Sequence, residues 1–183
     1  MAVYGGFKPW KAIKSARLYQ IAASYTPSIF KGMPVCRADT GYVIEWQTGV
    51  DMVGVALAFF DVNMNPINYW VASTATKGYV LVADDPNQEF VVAEDADTTQ
   101  LAQTEVFGNV DVILGTGDTV TGVAASLLDS SGAVSDPTTA TNAFRIVGLA
   151  PIVGNEVYHA TRCPNPKWIV VANLHQLTDT TGL

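Results

Sequence analysis

Two carboxylates that share a proton can do general acid and base work, provided two loops of matched geometry hold them. Asp39-Thr40-Gly41 has the triplet of such a loop. Leu127-Leu128-Asp129-Ser130-Ser131-Gly132-Ala133 resembles a second copy with one residue too many. The first triplet follows Arg37-Ala38 rather than an apolar strand, the second has the wrong spacing, and both are ordinary turn sequences. Both are expected to be turns. Metal chemistry fares no better. His159 and Cys163 are four apart and Cys36 could approach them, but with His175 they lack the closely spaced ligand pairs that zinc uses. Asp84, Asp85, Asp95 and Asp97 supply oxygen without the spacing of a calcium loop. Gly115-Thr116-Gly117-Asp118-Thr119 is glycine-rich but has no phosphate-binding lysine, and no helix follows it. Neither G-x-S-x-G nor H-E-x-x-H occurs. These residues predict no enzyme, no metal and no cofactor. Cys36 and Cys163 read as buried thiols, and their spacing leaves open whether they meet.

Charge is the strongest asymmetry in the chain. Residues 1–37 carry Lys8, Lys11, Lys14, Arg17, Lys31 and Arg37 and no acid, a balance of +6, whereas residues 38–183 sum to −13. A basic head on an acidic body suits an arm that reaches an acidic surface on a neighbour, such as another copy of the body. Lys8, Trp10, Lys11, Lys14 and Arg17 are the candidate partner-binding residues. Nucleic acid is not expected as a partner, because the acidic body would repel phosphates and the domain lacks a basic footprint. The longest uncharged run, Val62 to Thr76, is too short and too polar to span a bilayer. No apolar run follows the first basic residues, so neither a leader nor a membrane association is expected.

The elements that must position these residues are strands. Hydrophobic residues make up 49% of the 183 and charged residues 15%, which suits a folded core rather than disorder. Gly5-Gly6 and Pro9 interrupt the first sixteen residues, which read as an arm; residues 17–183 read as a single domain. Strands are expected at 17–23, at Ser28–Phe30, and after Pro34, with Gly32 turning the chain between the last two. Others fall at Tyr42–Gln47, Val53–Phe60, Tyr69–Ala72, Tyr79–Ala83, Glu89–Ala93, Val110–Leu114, Thr119–Leu128, Phe144–Leu149 and Lys167–Leu174, with a weaker signal at Val157–Ala160. VGVALAFF (53–60) is apolar throughout, so both of its faces should be covered. Asn63–Pro66, Asp84–Asn87 and residues 129–142 read as turns and loops, and Asp95–Gly108 as a helical turn capped by Thr98. About ten short strands without a long helix predict an all-β fold, a barrel or sandwich with a basic N-terminal arm. Trp10, Trp46, Trp70 and Trp168 are expected in the core more often than at an interface.

Six blocks carry a family resemblance. They are LYQIAASYTPSIFKGMPV (18–35), YVLVADDPNQEFVVAED (79–95), GTGDTVTG (115–122), SLLDSSG (126–132), FRIVGL (144–149) and KWIVVANLHQL (167–177). In order and spacing the segment from Arg17 onward resembles tailed-bacteriophage virion proteins of the capsid decoration, or cement, type. The first sixteen residues lie outside the resemblance. It implies a β-barrel or sandwich, made in the host cytoplasm, that sits on the outer face of the head and bridges neighbouring major capsid proteins. It also implies a homo-oligomer, with a trimer favoured over a dimer. The competing expectation is a receptor- or carbohydrate-binding module of a tail or fibre, since exposed aromatic rings on β-sandwiches can stack on sugars.

Overall fold

A computed structural model describes residues 5–72, 75–95, 99–131, 141–158 and 163–178. Twelve strands run through them in two antiparallel sheets, and the only helical element among these residues is a single 3₁₀ turn at Gln103–Glu105. The strands are β1 (Lys8–Pro9), β2 (Ala16–Ile21), β3 (Pro34–Arg37), β4 (Val43–Glu45), β5 (Met52–Phe60), β6 (Pro66–Ile67), β7 (Gly78–Ala83), β8 (Glu89–Ala93), β9 (Asn109–Ile113), β10 (Leu127–Asp129), β11 (Phe144–Leu149) and β12 (Lys167–Ala172). One sheet has the order β1-β8-β12-β11-β9-β10. The other runs β2-β7-β5-β3-β4, with β6 added on β5. The fold is thus all-β and has the two layers of a sandwich. Neither sheet closes into a barrel, although the first curls far enough for Leu128 of β10 to bridge Glu94, just past β8.

Two apolar clusters hold the layers. The first lies between the sheets: Phe90, Val92, Phe144, Ile146, Trp168 and Val170 from one sheet meet Cys36, Met52, Val55 and Ala83 from the other. Trp168 donates its indole N–H to Glu94 Oε2 at 2.7 Å, so its polar edge is paired inside the core. The second cluster covers the far face of the second sheet: Val35, Val43, Val53, Ala56, Phe59, Val80 and Val82 pack under Ile21, Ile29, Phe30, Met33 and Trp70. β5 therefore has both faces buried, as its unbroken apolar run predicts. Two register shifts, one on the β3 side at Val35/Cys36 and one on the β7 side at Ala56/Ala58, let its residues alternate unevenly between the clusters. Trp46, Trp70 and Trp168 are buried in these cores, and Trp10 is half-buried.

Several strands are shorter than their composition suggests. Thr119–Leu128 forms strand only at its end, as part of β10. Asp118 is the reason: its carboxylate accepts the Val120 N–H at 2.8 Å and the Thr121 hydroxyl at 3.0 Å, so side-chain bonds fold a turn where a ladder was expected. Ser28–Phe30 and Tyr69–Ala72 reduce to one antiparallel bridge, Ile29 with Trp70. The Asn63–Pro66 turn is present, organised by Asp61, which accepts the N–H groups of Asn63 and Asn65. Gly32 has a φ of +82°, as a glycine turn requires, and its amide bonds Ala56 O at 2.8 Å. The helical signal at 95–108 becomes the 3₁₀ turn, while Thr98 lies outside the described residues. So do most of 129–142 and half of Val157–Ala160; Val157 and Tyr158 are not strand. β12 ends at Ala172 rather than Leu174. The chain then leaves its sheet, and His175 bridges Met52 of β5 in the other one.

The N-terminal segment belongs to the body from residue 5 onward. Phe7 is 1% exposed and stacks on Phe144 with ring centroids 4.5 Å apart. Lys8–Pro9 pairs with β8, and the Trp10 amide bonds Glu89 O at 2.8 Å. Residues 7–10 therefore pack against the body.

Candidate functional site

The acidic turn between β7 and β8, Asp84 to Gln88, is where the basic residues of the N-terminal segment go. Lys11 pairs with Glu89 at 3.3 Å, and Lys14 donates its ammonium to Asn87 O at 2.6 Å. The Lys14 amide bonds the side-chain oxygen of buried Gln88 at 2.9 Å. Arg17 reaches Asp84 Oδ2 at 3.0 Å. Trp10 sends its carbonyl toward Gln88 Nε2. Lys8 is exposed on β1. The attraction of a cationic segment to an acidic surface is thus met inside one chain. The contacts differ in weight. Lys11 is well exposed, and such surface pairs contribute little. Asp84 is fully buried, and Arg17 and the Tyr19 hydroxyl, which donates at 2.7 Å, meet the same oxygen, so loss of either partner would leave a buried acceptor poorly paired.

Arg17 and Tyr19 are two apart on β2 and so share a face, which is why one carboxylate can hold both. Burial, then the bond to Asp84, pushes the Tyr19 phenol above its ordinary value and keeps it a donor. Tyr19 also lines a pocket of about 110 Å³. The pocket opens where β2 and β4, the two end strands of the second sheet, approach without pairing. Val43 of β4 and Val53 of β5 line it with apolar surface, and Arg37 at the end of β3 and Gly41 in the β3–β4 turn complete that side. Gln176 and Leu177 form the opposite rim. Among the described residues Arg37 has no acidic partner within ion-pair distance. Glu45, on β4, gives its backbone N–H to the Tyr25 hydroxyl rather than to another strand.

His175 sets the Gln176–Leu177 rim. Its Nδ1 accepts the Leu177 N–H at 3.1 Å, and its carbonyl accepts the Thr178 N–H at 3.0 Å. Nδ1 is therefore the unprotonated nitrogen of a neutral ring. Burial lowers the His175 pKa; Asp84, the Val53 carbonyl and Asp85 oppose that shift without cancelling it. An unfolded histidine titrates near 6.5. With the native value below that, the unfolded chain takes up the proton first, so the stability from His175 is complete above about pH 6.5 and drains away as pH falls toward the native value. Denaturant midpoints measured between about pH 8 and pH 5 should fall more steeply for the native chain than for His175→Asn, whose amide oxygen can still accept the Leu177 N–H. Equal slopes would show that His175 does not carry the effect.

Asp39 is exposed in the β3–β4 turn of one sheet, and Asp129 ends β10 at the edge of the other, so the two triplets lie in different sheets. Asp129 instead faces Asp111 across β9 and β10. Burial chiefly, and this facing carboxylate as well, pushes Asp111 above the usual carboxylate range. Asp95 accepts the amide and hydroxyl of Ser130 at 3.0 and 2.6 Å, and Asp97 and His159 lie outside the described residues. Among the described residues no three metal-binding side chains cluster. Gly115–Thr119 is loop that leads into the Asp118 turn. Cys36 and Cys163 are separate buried thiols; Cys36 bonds Glu45 O, and burial pushes it up to about 11, which keeps it protonated and unreactive. Sequence reasoning missed Tyr19, Arg37 and His175 as a group. The two-residue spacing of Arg17 and Tyr19 was a usable signal for a shared acid, but nothing local pointed to Asp84 as that acid.

No helix among the described residues is long and apolar enough to cross a membrane. No family model, curated protein or solved structure matches the chain.

Proposed function

We propose that this chain is a virion structural protein of a tailed phage: a decoration or cement protein that lies on the outer surface of the head and bridges neighbouring major capsid proteins. The observation that carries the reading is the ordered set of sequence blocks, together with where those blocks fall. Residues 18–35 run from β2 into β3, 79–95 take in all of β7 but its first residue, then its acidic turn and β8, 144–149 are β11, and 167–177 contain β12 and the His175 turn. The blocks thus build both sheets rather than decorating one loop.

In this reading the protein acts by surface contact as a homo-oligomer, a trimer in preference to a dimer. The cations of residues 11–17 face their own acidic turn, so the body carries the contacts. Phe107 is the leading anchor: it is 77% exposed, and its φ of +72° is costly for a non-glycine residue. An aromatic residue held out in this way can fill a pocket on a neighbour. Many identical contacts around a shell then add through multivalency, so none need be tight alone.

The test is to mix purified protein with heads assembled from the major capsid protein of the same phage, and to follow co-sedimentation and electron-microscopy density. Regular density on the outer shell is expected, with Phe107→Ala weakening head binding about tenfold at unchanged stability. Density on tails alone, binding to a glycan array without head binding, or no shell density would overturn the reading.

A further inference from the structure

The pocket between β2 and β4 combines three features that point to one kind of ligand. Its walls at Val43, Val53 and Leu177 are apolar, and its volume of about 110 Å³ suits a single aliphatic side chain. Arg37 belongs to the same lining and has no acid among the described residues within 4 Å, in a body whose balance is strongly acidic. β2 and β4 pair on one side only, so extended backbone runs beside the opening.

A carboxylate and an aliphatic group must therefore lie within one residue of each other. Neighbouring residues of an extended chain point to opposite faces, and residues two apart are spaced roughly 6.5 Å along it, so an internal aliphatic-acidic pair fits one small pocket poorly. A chain-terminal residue fits, because its side chain and its carboxylate share one Cα. We propose that this pocket binds the C-terminus of a partner polypeptide that ends in an aliphatic residue. The side chain enters between Tyr19 and Val43, the carboxylate meets Arg37, and the preceding residues run along the free edge of β2. Capture of a chain end beside a strand edge is a recurrent mode of peptide recognition. The proposal holds whether or not the chain resides on a phage head.

Acetyl-alanyl-alanyl-leucine with a free carboxylate is the probe, titrated into the full chain and followed by amide chemical shifts. Saturable shifts at Arg37, Gly41, Val43 and Leu177 are expected, with a Kd of about 0.1–1 mM. The leucine-amide form and the alanine-ended form should each bind about tenfold more weakly. Arg37→Gln should match the loss seen with the amide. Leu177→Glu, at a position half-exposed in the native chain, should reproduce that loss by setting a like charge at the rim. Acetyl-leucine should bind several-fold more weakly than the tripeptide. Equal affinity for the two would identify a site for a free small acid and overturn the polypeptide reading. Equal binding of acid and amide, or no saturable shift, would overturn the proposal outright.

Discussion

Replacing Phe7 with alanine is expected to destabilise the protein by about 3–5 kcal/mol, the usual cost of emptying a buried phenylalanine site. Phe7 lies only two residues after Gly5 in a segment whose composition reads as an arm, so the effect would be unusually large for such a position. The structure accounts for it. The ring is 1% exposed, stacks on Phe144, and belongs to the cluster shared by the two sheets. Phe144 also meets Phe90 edge-on at 6.4 Å, so the cavity would open in the middle of an aromatic group. In a denaturant titration the midpoint should fall sharply with little change in slope, because the surface exposed on unfolding is nearly the same. A midpoint within error of the native chain would show that residues 5–9 do not pack as described. The same reasoning makes deletion of residues 1–16 a poor test of partner binding, since it also removes β1, Phe7 and the Lys11 and Lys14 contacts.

The second large effect is expected at Gly54, where alanine should abolish folding or cost more than about 4 kcal/mol. Gly54 has a φ of +148°, and a Cβ there would lie 2.0 Å from the carbonyl oxygen of Ala83. That oxygen is backbone in a paired strand and cannot swing aside. Gly41 supplies the control. Its φ is +83°, but a Cβ would meet nothing within 4 Å. Gly41→Ala should therefore cost only the left-handed backbone penalty of about 1–2 kcal/mol. Circular dichroism and thermal melts of the two variants side by side separate steric collision from backbone strain. Comparable, mild losses at both positions would refute the close approach of β5 to β7 at this point.

Gly54 also shows how much of the fold was legible in advance. The run VGVALAFF announces a strand covered on both faces, and β5 is that strand. The glycine within it was the available mark of a bulge, yet the alternation of faces changes only because of the register shifts with β3 and β7, which no local pattern reports. Asp118 gives the opposite lesson. β-branched residues at 119–123 suggest a strand, and a single carboxylate folds them into a turn. Local hydrogen bonding outweighed propensity at 119–121, and extension survives only at Val123, which bridges Lys31.

The amino-acid sequence alone determined the class of this protein: apolar runs of strand length, β-branched and aromatic residues, and frequent Gly, Pro, Asn and Asp leave sheets as the way to bury its core. It also determined the sign and placement of charge, and the turns at Gly32 and Asn63–Pro66, because those rest on residues close in the chain. Tertiary structure alone decided that Lys11, Lys14 and Arg17 meet Asp84–Glu89 some seventy residues away, that Phe7 joins the core, and that Tyr19, Arg37 and Leu177 line one pocket. Such meetings depend on which strands pair and in what register. That choice is settled by the free energy of the whole packed core, to which each local segment contributes only a part.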